Sequence, residues 1–182
     1  AKYQTAIDQD AAYPPAWSNK ALAHARLGEY AEAEAAAVEA VNLAAADVRY
    51  LLNQGKILAM QAKHEQAIAV FDAAISLDPL HKQAFFNRAW CHDESGDAAA
   101  ARADYEAALQ LDGNYAKVML GLSLLDARDG EWAKAIWWCK QAFCLAGNDD
   151  TQLNALARRN LWVLRGNDFI FSLETSTDNY TE

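Results

Sequence analysis

The sequence predicts an all-α protein, a right-handed α-solenoid built of antiparallel helix pairs, and three observations predict it. The chain repeats itself every 34 residues when aligned on Pro14, Val48, Lys82 and Ala116, with no insertion between copies. Alanine supplies 40 of 182 residues and recurs in phase with that period, which favours helices whose backbones approach closely. Only three prolines occur, and the eight glycines stand singly, most of them at places where a helix would stop.

The elements follow in order. Residues 1–13 place Tyr3, Ala6, Ile7 and Asp10 in the columns of a repeat's second half, so they read as the second helix of an incomplete unit. The lack of an initial Met and this start in mid-pattern suggest a cropped N-terminus. Four full units then span 14–47, 48–81, 82–115 and 116–149. Their fourth position is large and apolar: Trp17, Leu51, Phe85 and Met119. Small residues fill the eighth (Ala21, Gly55, Ala89, Ser123), the twentieth (Ala33, Ala67, Ala101, Ala135) and the twenty-seventh (Ala40, Ala74, Ala108, Ala142). Small side chains are needed where two helix axes pass closest, since anything larger separates them. The fifteenth position (Gly28, Ala62, Gly96, Gly130) ends the first helix, and an acid follows in three units. Residues 150–165 read as one more helix, with Leu153, Leu156, Ala157, Asn160 and Leu164 at helical spacing and arginines elsewhere, as a capping helix should. Residues 166–182 lose the pattern and read as an acidic, unstructured tail around Phe169, Ile170 and Phe171.

The 34-residue period, an aromatic at position four, small residues at eight, twenty and twenty-seven, Gly at fifteen and Asp78-Pro79 at the unit's end resemble the tetratricopeptide repeat. Two departures stand out. Position seven, often Leu in that family, holds Lys20, Gln54, Arg88 and Leu122, and position thirty-two is proline once.

Composition narrows the function classes. A formal net charge of −9 argues against nucleic acid, which needs a basic surface, and against docking on anionic membranes. No apolar run is long enough for membrane insertion. Cys91, Cys139 and Cys144 lack any paired zinc spacing and read as free thiols, favouring a reducing compartment such as the cytoplasm. His24, His64, His81 and His92 do not converge into a metal pattern, and no glycine-rich phosphate loop exists, so neither metal nor cofactor is expected. Nothing in the sequence supports a Cys–His nucleophile pair, and the chain is not expected to be an enzyme. The Trp137-Trp138 pair reads as one ring packed inward and one covering the outer face, or as an exposed aromatic anchor.

The resemblance implies a binding groove lined by the first helix of each unit, from positions two, five, nine, twelve and thirteen. Carried onto this chain these give Ser18, Leu22 and Arg26; Arg49, Leu52, Lys56 and Met60; Gln83, Phe86, Trp90, Asp93 and Glu94; and Lys117, Leu120, Leu124 and Arg128. Position six adds Asn19, Asn53 and Asn87, then Gly121; in some family members an Asn there bonds the backbone of an extended peptide, to which an amide can donate and from which it can accept. Five basic residues (Arg26, Arg49, Lys56, Lys117, Arg128) stand in this set against Asp93 and Glu94. The expected partner is a protein or peptide segment with apolar anchors and acidic neighbours; the competing reading is that these residues pack between helices and their charges are simply solvated. The family's clamp for chaperone tails is not expected, because Ser18/Leu22 and Leu52/Lys56 do not supply its first element and Gly121 replaces its last Arg. Bacterial secretion chaperones with acidic repeats are a special case of this reading. The acidic tail is complementary to the inferred groove and could dock there. Two alternatives remain: a substrate-recruiting arm of a larger enzyme, and a structural module that associates with itself.

Overall fold

A computed structural model describes residues 2–146 and, beyond them, 155, 157, 159, 160 and 163. The described residues hold nine helices and no strand: α1 (Lys2–Gln9), α2 (Pro14–Arg26), α3 (Tyr30–Leu43), α4 (Val48–Met60), α5 (His64–Leu77), α6 (Lys82–Glu94), α7 (Ala98–Leu111), α8 (Ala116–Arg128) and α9 (Trp132–Ala146). They belong to an all-α helical-repeat fold. The chain divides into two compact units, Ala1–Asp104 and Tyr105–Glu182. Residues 155, 157, 159, 160 and 163 are helical. The other residues expected to cap the array, and the expected tail at 166–182, lie outside the described ones.

Local chemistry sets each helix. Pro14 and Pro15 open α2 after an extended Tyr13, where a missing N–H costs nothing. Asp47 caps α4, its carboxylate accepting from the Arg49 N–H at 3.0 Å. Asp97 does the same for α7 through the Ala100 N–H at 2.9 Å. The turn inside each pair is one motif repeated four times. In the first, Glu29 N–H donates to the His24 carbonyl and Gly28 N–H to that of Ala25. That geometry demands a left-handed residue, and Gly28, Gly96 and Gly130 take φ of 79°, 86° and 78°. Ala62 is held by the same two hydrogen bonds at φ 57°, a conformation that its Cβ disfavours.

In the first unit the small columns lie at the core: Ala21, Ala33, Ala67, Ala74 and Ala89 are fully buried. Phe71 fills the second repeat beside Leu51, Leu58 and Cys91. A Cβ on Gly55 would stand 2.4 Å from a Phe71 ring carbon, so only glycine fits beneath that ring. Ion pairs join successive repeats: Lys63 Nζ reaches Glu34 at 2.7 Å. Arg88 at position seven bonds Asp104 through two nitrogens, at 2.6 and 2.7 Å, and Asp72 at 2.6 Å. The departure from leucine at position seven is therefore a bridge between α5, α6 and α7.

In the second unit Ala135, Cys139, Ala142 and Ala157 are buried with Met119. Ser123 donates to the Ala135 carbonyl at 2.9 Å, which makes a hydroxyl tolerable at the small eighth position. At position six, Gly121 stands where three units have Asn, and this has a steric cause. A Cβ there would lie 2.5 Å from the buried Tyr105 ring. Trp138 packs against the core cluster, and Trp137, 52% exposed, stands edge-on to it at 4.6 Å.

Candidate peptide-binding stripe

Helical geometry sorts the candidate residues before any contact is considered. At about 100° per residue, positions two, six, nine and thirteen fall within about 60° of arc, whereas five and twelve lie about 60–80° to one side. On α4 that stripe is Arg49, Asn53, Lys56 and Met60; on α6 it is Gln83, Asn87, Trp90 and Glu94. On α2 it is Pro15, Asn19, Leu22 and Arg26, and on α8 in the second unit Lys117, Gly121, Leu124 and Arg128.

Burial follows this division. Asn19, Arg26, Arg49, Met60, Trp90, Lys117, Leu124 and Arg128 are exposed, and Leu22, Asn53, Lys56, Phe86 and Asn87 are half-buried. Leu52 and Leu120, expected to face a ligand, are instead core residues at 4% exposure each, as is Ser18 at 6%. The reason is the angle of position five, which turns its side chain into the packed interface. Leu52 joins the cluster around Phe71, and Leu120 the cluster around Cys139.

Within the first unit, α2 and α4 form a recess of about 190 Å³ lined by Pro15, Ser18, Asn19, Arg49, Tyr50 and Asn53. Asn53 donates to the Ser18 hydroxyl at 2.9 Å, so one amide hydrogen of position six is spent inside the fold. Arg49 is held at the mouth by Asp47, which accepts from Nε at 3.0 Å and from Nη2 at 2.6 Å. The Arg49 bond holds the Asp47 carboxyl below the ordinary carboxylate range. The pair offsets its own charge, and Lys56 and Arg128 also interact within the fold, so part of the basic excess counted from sequence is already engaged.

The third repeat differs. Its Asn87 corresponds to Asn53, but the place of Ser18 is taken by Leu52, which has no acceptor. The Asn87 Nδ2 is consequently buried with no hydrogen-bond partner. One turn along the same face Trp90 is 38% exposed. His64, the first residue of α5, stands edge-on to that ring at 5.6 Å, with its Nδ1 also unpartnered. Sequence reasoning missed His64, whose position lies outside the first helices. It also missed Asp47 as the partner of Arg49, although an N-cap aspartate two residues ahead of an arginine was a readable signal.

Burial, aided by Glu94, pushes the Cys91 thiol up to about 12, so it stays protonated. Burial also raises Cys139. No group of three or more His, Cys, Asp or Glu among the described residues could hold a metal ion. No described helix is long and apolar enough to cross a membrane.

Comparison with known proteins agrees with the fold. The profile of the family described as Tetratricopeptide repeat matches residues 18–79 and 52–116. No curated protein matches the sequence. Among solved structures, TTC0263, a thermophilic TPR protein in Thermus thermophilus, superposes with a TM-score of 0.77 at 18% identity, over 88% of this chain and 87% of that one. YrrB, described as a TPR protein with an unusual peptide-binding site, gives 0.65 at 18% identity, over 86% and 80%. The Yersinia enterocolitica type III secretion chaperone SycD, in complex with a peptide of the translocator YopD, gives 0.62 at 20% identity, over 66% and 93%.

Proposed function

The chain belongs to the tetratricopeptide-repeat family, and from that premise we propose that it is a protein-interaction module gripping an extended peptide segment along the stripe of its first helices. The observation that carries this reading is Asn87. A buried amide N–H without a partner costs on the order of 1–3 kcal/mol, and a turn of the half-buried Asn87 side chain would bring it to a peptide carbonyl laid along α6. Trp90, exposed one turn away, offers an apolar face for a side chain of that peptide. Peptide binding in two proteins of similar fold, SycD and YrrB, supports the same use of the scaffold.

The test is a peptide array probed with the whole chain, followed by titration of the selected peptides. Trp90→Ala should weaken them by about tenfold or more, the loss typical of a central aromatic anchor. Asn87→Leu should weaken them too, yet leave the melting temperature unchanged or raised, because the donor it removes has no partner in the fold. Binding that survives both changes would refute the assignment. A clear fall in stability for Asn87→Leu would show that the amide serves the fold instead.

A further inference from the structure

The stripe is not uniform along its length, and this polarity specifies a ligand pattern. Its polar end is the recess between α2 and α4, where Asn19 and Arg49 meet. Its apolar end is built by Met60, 51% exposed, and by Trp90 with His64 against its edge. Both ends lie in the first unit.

The polar end still has donors. A guanidinium carries five N–H groups. Asp47 takes the Nε–H and one from Nη2, which leaves three on a side chain 76% exposed. The fork is held in place by Asp47, which is itself fixed by its cap bond to the Arg49 N–H, so little side-chain freedom is lost when a second carboxylate arrives. Asn19 opens into the same recess and can add an amide donor. Lys56, half-buried and already engaged, is the weaker candidate on that helix.

The separation of the two ends is a ruler. Seven positions of helix lie between the level of Arg49 and that of Trp90, and eleven between Arg49 and Met60. At 1.5 Å per residue the second is about 16 Å, and the first is about 10 Å along the axis, which becomes about 14 Å once the sideways step of about 8–10 Å from α4 to the neighbouring α6 is added. An extended peptide advances about 3.3 Å per residue and crosses such a distance in about four to five residues. We infer that the first unit recognises an extended peptide carrying one acidic side chain and one aromatic or large aliphatic anchor four to five residues apart, the acid on Arg49 and Asn19 and the anchor on Trp90 and Met60. This inference rests on the peptide-binding reading above and adds the spacing to it.

Fluorescence anisotropy with the whole chain tests it. The probes are labelled twelve-residue peptides in a Ser/Ala background, each with one Phe and one Asp placed one to eight residues apart in both orders. Affinity should peak at separations of about four to five. At the optimum, Asp→Asn in the peptide and Arg49→Gln in the protein should each weaken binding by about threefold, as for an exposed ion pair, and the two together by no more than either alone. Binding abolished by Trp90→Ala but indifferent to spacing, or fully additive losses, would overturn the spacing rule and leave the groove reading intact. Absence of any binding sensitive to Trp90→Ala would overturn both.

Discussion

Replacing Gly55 with alanine probes a close helix approach in the first unit. The new Cβ would lie 2.4, 2.7 and 2.9 Å from three carbons of the Phe71 ring, where ordinary carbon contacts are about 3.5–4.0 Å. The ring must therefore retreat by about 1 Å, yet Phe71 is fully buried among Leu51, Leu58, Ala67 and Cys91. Overpacking of this kind costs about 1–3 kcal/mol. Alanine returns about 0.8–1.0 kcal/mol of helix propensity over glycine. The net expectation is a loss of about 0–2 kcal/mol, a fall of up to about 8 °C in melting temperature for a chain of this size. Urea unfolding followed by circular dichroism measures it, with Phe71→Leu as the second arm of a double-mutant cycle. Once the ring is trimmed, Gly55→Ala should become neutral or stabilising, because only the propensity gain remains. If Gly55→Ala stabilises the protein with Phe71 intact, the contact does not limit packing and the reason given for glycine at this column is wrong.

Three further outcomes are expected. Ala62→Gly should raise stability by about 0.5 kcal/mol in the same urea assay, since relief of about 1–2 kcal/mol of left-handed strain exceeds glycine's added chain entropy. Glu34→Gln removes a carboxylate that its bond to Lys63 holds below the ordinary range, with Gln61 adding to the effect. Because the folded pKa is the lower one, the Glu34 contribution is present above the unfolded value and vanishes as pH falls through the folded one. Melting curves of the two proteins should thus differ at pH 7 and converge only as pH falls below the ordinary carboxylate range, through the lowered folded value. With a thiol reagent at neutral pH, exposed Cys144 should label quickly in the native protein, whereas Cys91 and Cys139 should label only after unfolding; rapid labelling of Cys91 would contradict its burial.

The repeat was legible because it is a column pattern. Four in-register copies place Ala33, Ala67, Ala101 and Ala135 at equivalent helix contacts, and the structure buries all four completely. The stripe was legible in part. Positions two, nine and thirteen are spaced by the helix itself, so Arg49, Trp90 and Arg128 could be placed on an outward face from sequence periodicity. Leu52 and Leu120 could not be separated from them. A leucine reads the same whether it meets a ligand or a neighbouring helix, and position five is decided by how far one helix is rotated against the next.

By itself, the sequence determined the all-α class, the period and the helix stops, because those depend on propensity, capping and spacing along one chain. Tertiary structure decided which polar groups are already spent. Asn53 and Asn87 occupy the same column, yet one donates to Ser18 and the other is left unpaired, because the acceptor lies 35 residues away in the preceding repeat and is Ser in one place and Leu in the other. Whether an amide is available to a ligand is a property of that packed pair, and no local pattern encodes it.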